Sequence, residues 1–579
     1  MEKNVKHLFK YFKTYRAQCF LSPFLKLVEA LFDLLVPFII SDLIDNGIGQ
    51  DREDYILSRF LILGGLALLG IIVSVTAQYF ASAAAAGFAG KVRRELFDKL
   101  QSFSYLDTDR IGVSSMVTRL TSDINQLQSG VNWTLRLFLR SPVIVLGAVI
   151  CAFFIDTNIA LIFLATSLVL LGIIFAILLS TLPKYKQIQQ KLDNLTVMTR
   201  ENVSGVRVIR AFRHEQTEEE SFDRANKIHI TLQKAAGRIS ALLNPVTFFI
   251  LNAVLLLIIY LGGVRVEAGS LTTGQVIALV NYMSQILVEL IKLANTIITV
   301  TRSVACGNRI GDILTMPSGL PKYKEGDFPD GDDSDAVTFK NVSFSYTEGG
   351  EDNLERISFR ARPGETIGII GGTGSGKTTL VNLIPRFYDV KSGQVLINGQ
   401  DVRVLNEAEL RGSVGIVPQK AVLFKGTVRD NLKWGNPDAT DEELWHALEQ
   451  SEAAEIVRKR PEGLDAPVEQ NGNNYSGGQK QRLTIARALC RKPSVLILDD
   501  SASALDLGTE SRLRSHLKSL DFDPTVFIVS QRVSSIRHAD LILVLNQGRL
   551  EGAGTHDSLM ESCPLYREIE QSQSGGGLS

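Results

Sequence analysis

Residues 371–378 read Gly371-Gly372-Thr373-Gly374-Ser375-Gly376-Lys377-Thr378 and follow the apolar run 366–370. The pattern G-x-x-x-x-G-K-[ST] between a strand and a helix is typical of a phosphate-binding loop. Its glycines let backbone N–H groups surround phosphate oxygens, and the helix that follows presents the positive end of its dipole. We therefore expect an α/β domain that binds a nucleoside triphosphate, with Lys377 on the β- and γ-phosphates and Thr378 on Mg²⁺.

A change in composition upstream of this loop indicates a domain boundary. Residues 316–335 are rich in Pro, Gly, Lys and Asp, which is typical of a linker. The residues that follow, from Val337 to Phe344, alternate in the manner of a strand. We therefore predict one domain at 1–315, a linker at 316–335 and the phosphate-binding domain at 336–579.

The first domain contains six segments that are long and apolar enough to cross a bilayer, whose hydrocarbon core of about 30 Å needs about 20 helical residues. The segments lie at about 18–42, 58–84, 135–155, 158–184, 241–263 and 274–302. The alternative, a buried helical core in a soluble protein, fits poorly because residues 160–182 carry no charge. The sequence therefore predicts an all-α, six-helix transmembrane domain fused to an α/β phosphate-loop domain.

The distribution of basic residues predicts the orientation in the membrane, because cytoplasmic loops are enriched in Lys and Arg. The connections 90–130 and 185–238 are long and basic, whereas 45–54 is acidic and the connections at 156–158 and 262–270 are short. We therefore place the lysine-rich N-terminus, both long connections and the phosphate-binding domain on the cytoplasmic side of a plasma (inner) membrane.

The two long connections read as helical, so each is predicted to continue a pair of spans and to close in a short turn helix. In the second connection, Val208, Ile209 and Phe212 form a small apolar face beside three arginines. This face suits docking into a groove, and a solvated charged face is the alternative.

Two predicted spans hold polar residues that share one helix face. The sets are Lys26, Glu29 and Asp33 on the first span and Gln285, Glu289 and Lys292 on the sixth. Charges within spans are costly and often mark pathways. The sets therefore indicate either a polar lining of a cavity or satisfied ion pairs between neighbouring helices.

Residues 474–482 read Asn-Tyr-Ser-Gly-Gly-Gln-Lys-Gln-Arg and resemble the signature motif of ATP-binding cassette (ABC) proteins. Further segments resemble other motifs of that family in the expected order. These are Tyr346 for the aromatic residue that stacks on adenine, Gln419 for the Q-loop, residues 495–499 ending in Asp499 for the Walker B strand, and Ser503-Ala504-Leu505-Asp506 for the D-loop. The resemblance extends to the first half of the chain, where the residues that look like those of exporter-type ABC transmembrane domains are Gly112, Arg119, Asp123 and residues 269–274. It therefore covers nearly the whole chain.

This resemblance implies that two such halves join and enclose two ATP molecules, each between the phosphate loop of one half and the signature of the other. The implied cofactors are ATP and Mg²⁺. The implied ATP-binding residues are Tyr346, Gly371, Gly372, Thr373, Gly374, Ser375, Gly376, Lys377, Thr378, Thr379 and, toward the partner's site, Ser476, Gly477, Gly478 and Gln479. The implied ligands of Mg²⁺ are Thr378, Gln419 and Asp499.

Two positions depart from the family pattern. Where the family normally has Glu after the Walker B Asp, this chain has Asp500, and where it has the switch His, this chain has Gln531. The shorter side chain withdraws the carboxylate by about one bond length, and a misplacement of about 1 Å can cost on the order of 10²-fold in rate. A neutral amide lacks the charge-assisted hydrogen bond of a histidine.

Both departures affect the site of this chain's own phosphate loop, whereas its signature would complete the partner's site. The candidate catalytic residues Asp500, Gln531 and Gln419 therefore suggest a slow, degenerate site within a heterodimer. A homodimer with two slow sites is the alternative.

The resemblance implies ATP-driven export of amphipathic small molecules, as in bacterial heterodimeric multidrug exporters. A lipid or peptide exporter and a nucleotide-gated membrane regulator or channel remain alternatives, and an importer is less consistent with the fused domains. Nucleic acid is disfavoured as a partner because 61 Lys and Arg balance 62 Asp and Glu, for a net charge of −1. The five cysteines show no C-x-x-C pair, which disfavours a disulfide framework or structural zinc.

Overall fold

The computed structural model describes residues 7–317, 319–321, 323–324, 326, 328–329, 334–347, 349–501 and 505–574. The chain divides into two compact units. The helical unit comprises Met1–Ser102 and Gly112–Pro317, and the sheet unit comprises Phe103–Ile111 and Ser318–Ser579. A short segment of the first half of the sequence therefore belongs to the second unit.

The first half of the chain is helical. Its helices are α1 (Arg16–Asp42), α2 (Glu53–Gln101), α3 (Tyr105–Ile111), α4 (Val113–Thr118), α5 (Ile124–Trp133), α6 (Arg140–Ile155), α7 (Thr157–Ser204), α8 (Val206–Ala211), α9 (Glu215–Ala241), α10 (Leu243–Glu267) and α11 (Thr273–Thr315). Short segments of tighter or wider helix lie at Phe9–Tyr15, Leu43–Gly47, Ile48–Gln50, Arg119–Asp123 and Thr134–Phe138.

Five helical stretches in the described residues are long and apolar enough to cross a membrane. They are Glu53–Gln101, Val113–Ile155, Thr157–Ser204, Glu215–Glu267 and Thr273–Thr315, and they contain the second to sixth predicted segments. The first predicted segment is α1, a helix of 27 residues that contains Lys26, Glu29 and Asp33. These three charges lower its hydropathy, so its crossing of the bilayer stays a prediction.

Small and aliphatic residues pack the interior of the helical unit, among them Ala30, Ala148, Phe163 and Tyr282. The outward faces carry large apolar side chains instead of polar ones. Examples are Phe60, Leu68, Ile71, Phe154, Leu256 and Tyr260. Exposing so many large apolar side chains to water would be unfavourable, whereas a surface that faces the hydrocarbon core of a bilayer is apolar. The composition and the exposed surface together indicate a multi-pass membrane protein.

The sheet unit contains two main sheets. Its strands are β1 (Val337–Phe344), β2 (Leu354–Ala361), β3 (Thr366–Gly371), β4 (Ser392–Ile397), β5 (Gln400–Asp401), β6 (Val414–Val417), β7 (Gly426–Thr427), β8 (Pro467–Val468), β9 (Val495–Asp499), β10 (Thr525–Val529), β11 (Leu541–Asn546) and β12 (Arg549–Gly554). One sheet has the order β12-β11-β3-β10-β9-β6, and the other is antiparallel with the order β2-β1-β4-β5. In the larger sheet β11, β3, β10, β9 and β6 run parallel, and β12 is the antiparallel edge.

Helices accompany these strands in the second half of the chain. They are α12 (Lys377–Leu383), α13 (Glu407–Ser413), α14 (Val428–Lys433), α15 (Asp441–Gln450), α16 (Ala454–Arg458), α17 (Gly477–Leu489), α18 (Leu507–Lys518), α19 (Val533–Ile536), α20 (His556–Ser562) and α21 (Pro564–Ser574). Single turns lie at Gly463–Asp465 and Gln470–Gly472.

Alternate residues of the parallel strands enter two separate cores. In β9, Leu496 and Leu498 pack in one core, and Val495 and Ile497 pack in the other. Strands that are buried on both faces read as continuous apolar runs, as this one does. Because the parallel strands end at the same edge, the residues after β3, β9 and β10 lie side by side, and ligands bind at such edges.

Candidate nucleotide site and charged cluster

The phosphate loop joins β3 to α12 at the carboxyl edge of the sheet. Gly376 has a φ of 97°, in the region that favours glycine, and it caps the helix that begins at Lys377. A Cβ atom on Gly371 would lie 2.1 Å from the carbonyl oxygen of Leu545. Glycine is therefore required at both ends of the loop for steric reasons.

The Lys377 ammonium lies within its own loop. It donates to the carbonyl oxygens of Gly371 at 2.8 Å and Gly372 at 2.7 Å. Burial lowers the pKa of Lys377, and the nearby carboxylates of Asp500 and Asp499 oppose that shift. A phosphate in the loop would offer this cation a better partner than two neutral carbonyls.

A hydroxyl and a carboxylate meet beside the loop. Thr378 Oγ1 donates to Asp499 Oδ1 at 3.1 Å, and Asp499 is 4 % exposed. Burial raises the pKa of Asp499, and the hydrogen bond from Thr378 opposes that shift. These are oxygen donors of the kind that Mg²⁺ prefers. The residues present therefore fit Mg²⁺.

Asp500 follows directly and has a φ of 46°, a left-handed conformation that is uncommon for a residue with a side chain. Its backbone N–H donates to the carbonyl oxygen of Val529 at 3.0 Å, which holds the residue against β10. Gln419 Nε2 donates to Asp500 Oδ2 at 3.4 Å. Burial raises the pKa of Asp500, while Gln419, Lys377 and Arg532 lower it. The structure thus brings two of the predicted catalytic residues together.

Gln531 lies after β10, at the predicted switch position. The Gln573 side chain on α21 donates to the carbonyl oxygen of Gln531 at 2.7 Å and accepts from the N–H of Val533 at 2.9 Å. We call residues 531–533 the switch segment. The end of α21 therefore holds this segment through both the N–H group and the oxygen of the Gln573 side-chain amide. Sequence reasoning missed Gln573, because nothing in the local pattern of 564–574 indicates this contact.

Tyr346 lies beside the phosphate-loop helix. Its hydroxyl is 3.0 Å from Thr379 Oγ1, and its ring packs edge-on against Phe344 at 4.8 Å and Tyr388 at 5.2 Å between centroids. The predicted adenine-stacking residue and the predicted ATP contact Thr379 are thus neighbours.

The signature residues begin a helix of their own. Ser476 caps α17, its hydroxyl accepting from the N–H of Gln479, whose side chain accepts from the N–H of Ser476 at 3.0 Å. Gly477 and Gly478 occupy the first turn, whose N–H groups have no partner within the helix, and a Cβ on Gly477 would meet open space. The exposed end suits an anion. In the D-loop, Asp506 caps α18, whereas Ser503 and Ala504 lie outside the described residues.

A second cluster of charges lies in the helical unit, centred on Arg140 of α6. Its guanidinium donates to Asp33 at 2.6 Å on α1 and to Glu289 at 2.8 Å on α11, and Glu29 lies 3.7 Å away. Lys26 pairs with Glu29, and Lys292 pairs with Glu289 at 2.9 Å. We call these six residues the charged cluster. Sequence reasoning found five of them and missed Arg140.

A cavity of about 380 Å³ adjoins the charged cluster. Its lining combines Asp33, Asn281, Ser284, Gln285, Glu289 and Lys292 with Val36, Pro37, Ile40, Ile144 and Val288. The side chains of Asp33 and Lys292 are 42 % and 43 % exposed, whereas that of Glu289 is 5 % exposed. Both predicted roles therefore coexist, because the charges are paired and two of them also face the cavity.

The fold and these sites define a membrane-embedded ATPase in which one chain carries both the spans and the nucleotide site. Comparison with known families identifies the class further. The model described as the ABC transporter transmembrane region matches residues 19–290, and that described as ABC transporter matches residues 354–503. The chain belongs to the ABC transporters of exporter type, and it is an ATPase coupled to transport.

Relatives with curated names match along nearly their whole length. An ABC transporter ATP-binding protein of Mycobacterium tuberculosis is 34 % identical over 568 residues, which is 98 % of this chain and 97 % of the relative. A Bacillus subtilis protein named for multidrug export as an ATP-binding/permease protein is 33 % identical over 579 residues, 98 % of each chain. The structure of a bacterial Atm1-family ABC exporter with ATP bound has a TM-score of 0.78 at 22 % identity and covers 97 % of this chain and 99 % of its own, which shows a shared fold.

Proposed function

We propose that this chain is one half of a heterodimeric exporter that moves amphipathic small molecules across the plasma membrane. Its own phosphate loop forms a slow, degenerate ATP site, and its signature completes a faster site on a different partner chain. One contrast carries the proposal. Asp500 and Gln531 depart from the family pattern, whereas the signature residues are intact and stand at the exposed start of α17.

At its own site, the chain has what binding ATP requires. Tyr346 would stack on adenine, the loop N–H groups would surround the phosphates, and Lys377 would exchange two carbonyl partners for phosphate oxygens. Thr378 and Asp499 would hold Mg²⁺, with Gln419 as the third ligand, and the bound cation would neutralise charge on the phosphates. These groups favour retention of ATP.

The site is weaker in the groups that act on the attacking water. The Asp500 carboxylate is one methylene shorter than the usual glutamate, and its backbone is held at β10 by the N–H bond to Val529. With the backbone held there, only rotation of this short side chain can bring the carboxylate toward the γ-phosphate. Gln531 would contact the γ-phosphate through a neutral amide, which gives a weaker hydrogen bond than a charged imidazole. Binding is thus preserved more than hydrolysis.

The cavity beside the charged cluster is our candidate for part of the cargo site. Its apolar wall and its few polar groups suit a molecule with an apolar body and a polar end. The multidrug character is further supported by the name of the Bacillus subtilis relative. A lipid or peptide cargo would use the same wall, and a nucleotide-gated regulator would bind ATP without moving cargo.

Subunit composition is the direct test. The tagged chain, extracted gently from its native membrane, is examined by native mass spectrometry. A one-to-one complex with a second half-transporter is expected. A dimer of this chain alone would refute the heterodimer and assign all hydrolysis to Asp500 and Gln531.

Cargo is tested separately in proteoliposomes that contain the purified complex. ATP-dependent movement of at least one amphipathic dye, with stimulation of ATPase activity by that dye, is expected. ATPase activity without movement of any dye would contradict the multidrug proposal and favour one of the other cargoes or the regulator.

A further inference from the structure

The last described helix, α21 (Pro564–Ser574), is anchored in the sheet unit near its beginning. Tyr566 is 0 % exposed, and its hydroxyl lies 2.9 Å from His556 Nδ1. Ile569 packs against the same core one turn further along. Positions i, i+3 and i+7 share one face of a helix, so Gln573 continues the face that begins at Tyr566. The end of α21 therefore presents Gln573 to the sheet unit.

The peptide group between Gln531 and Arg532 is held at both ends. Its carbonyl oxygen accepts from Gln573 Nε2 at 2.7 Å, and its N–H group donates to Ser530 Oγ at 3.0 Å. Ser530 is 3 % exposed, and its own N–H donates to the carbonyl oxygen of Ile369 in β3 at 3.0 Å. Because a peptide group is planar, bonds at both ends fix its rotation. That rotation sets the direction in which the Gln531 side chain leaves the backbone.

The same side-chain amide makes a second contact further along the switch segment. Gln573 Oε1 accepts from the N–H of Val533 at 2.9 Å. Val533 begins α19 and is 1 % exposed, so this bond attaches Gln573 to a fixed point in the core. The Gln573 amide is thereby held in one orientation, with its nitrogen directed at the carbonyl oxygen of Gln531.

The switch segment and Asp500 are held by the same strand. The backbone N–H of Asp500 donates to the carbonyl oxygen of Val529 at 3.0 Å, and Val529 is the last residue of β10. Gln531 follows two residues later. The relative position of the two candidate catalytic residues therefore depends on this short stretch of backbone, which ends at the peptide group that Gln573 holds.

We infer that Gln573 is a positioning residue for ATP hydrolysis at this chain's own site, an inference that rests on the proposed contact of Gln531 with the γ-phosphate. Gln573 limits the rotation of the peptide group that follows Gln531. The Gln531 amide therefore stays where it can donate to the γ-phosphate. The phosphate loop binds ATP without this peptide group, so the effect falls on turnover and not on affinity.

Turnover at this site is measured in the full complex, with a partner whose phosphate-loop lysine is substituted. Gln573→Met keeps the length of the side chain and removes its amide. This variant should lower kcat about fivefold, the effect of losing one ordinary hydrogen bond, and leave the KM for ATP unchanged. Gln571→Met is the matched control, because Gln571 is exposed and lies about 200° away around the same helix. The control should change neither kcat nor KM.

Gln573→Glu separates positioning of Gln531 from simple attachment of α21. A carboxylate can still accept from the N–H of Val533, so hydrogen exchange of that amide should stay as slow as in the wild type. It cannot donate to the carbonyl oxygen of Gln531, so kcat should fall at least as far as in Gln573→Met. If α21 had only a structural role, kcat would follow the Val533 exchange rate, and Gln573→Glu would keep wild-type turnover.

A double-mutant cycle with Gln531→Ala identifies the residue through which Gln573 acts. Gln531→Ala alone should lower kcat at least as far as Gln573→Met does. Once Gln531 is replaced, Gln573→Met should cost less than about twofold, because residues that act through one another are not additive.

The outcomes separate this inference from the proposed function. Equal losses from Gln573→Met in both backgrounds, or wild-type turnover in Gln573→Met or Gln573→Glu, would overturn the role of Gln573 and leave the proposed function intact. Wild-type turnover in Gln531→Ala would instead refute the proposed switch role of Gln531, and the positioning with it.

Discussion

Asp500→Glu should accelerate hydrolysis at this chain's own site. The substitution adds one methylene and advances the carboxylate by about 1.5 Å, a single carbon–carbon bond. Because misplacements of about 1 Å can cost on the order of 10²-fold in rate, we expect a gain of roughly 10- to 100-fold. The gain should fall at the lower end, because a φ of 46° suits Asp better than Glu and because Gln531 is unchanged.

The assay must isolate this site. The chain is purified with a partner whose phosphate-loop lysine is substituted, so that the remaining ATPase activity reports the site of Lys377. Asp438→Glu, an exposed position in the same unit, controls for the extra methylene. In the complex with the unmodified partner, Asp500→Asn should hardly change turnover. No gain from Asp500→Glu, or a collapse of turnover with Asp500→Asn, would refute the degenerate site.

Three further predictions follow from contacts in the structure. Arg140→Ala leaves three carboxylates without their shared cation and should lower the free energy of unfolding by about 3 kcal/mol or more, followed by thermal unfolding in detergent. Lys227→Ala, which removes one member of an exposed ion pair, is the control and should cost under about 1 kcal/mol. Equal losses in the two variants would contradict the buried cluster. Asp33→Asn should raise the KM for a cationic dye about fivefold relative to a neutral dye, because an ion pair between the dye and the half-exposed Asp33 contributes on the order of 1 kcal/mol. Equal effects on both dyes would exclude a role of the Asp33 charge in binding cargo. Gln573→Met should speed hydrogen exchange of the Val533 amide about fivefold, because the lost hydrogen bond contributes about 1 kcal/mol. Unchanged exchange would mean that α21 does not hold the switch segment.

Much of the nucleotide site could be predicted because its determinants are local. The phosphate loop is one run of eight residues, and the signature is another. In each run, glycines stand where the chain bends and a helix N-terminus follows. The backbone N–H groups that bind phosphate are therefore specified within the run itself. The proximity of Thr378 to Asp499 also follows from topology, since parallel strands end at one edge.

The remaining contacts could not be predicted from local patterns. Arg140 lies 107 residues from Asp33 and 149 residues from Glu289, so a search within single spans found the carboxylates but not the cation that joins them. Gln573 is 42 residues from Gln531, and Tyr388 is 279 residues from Asp109. No periodicity in one segment records the position of a partner in another.

The sequence by itself determined the family, the order of the two domains, the residues of the phosphate loop and signature, and the two positions, Asp500 and Gln531, that depart from the family pattern. These properties depend on residue type and short-range spacing. Only the tertiary structure showed that α3 packs in the sheet unit, that Arg140 balances the intramembrane carboxylates and that Tyr388 and Gln573 contact the two sides of the nucleotide site. The physical reason is that these contacts join segments far apart in the chain, and only the packing of the whole fold decides which side chains meet.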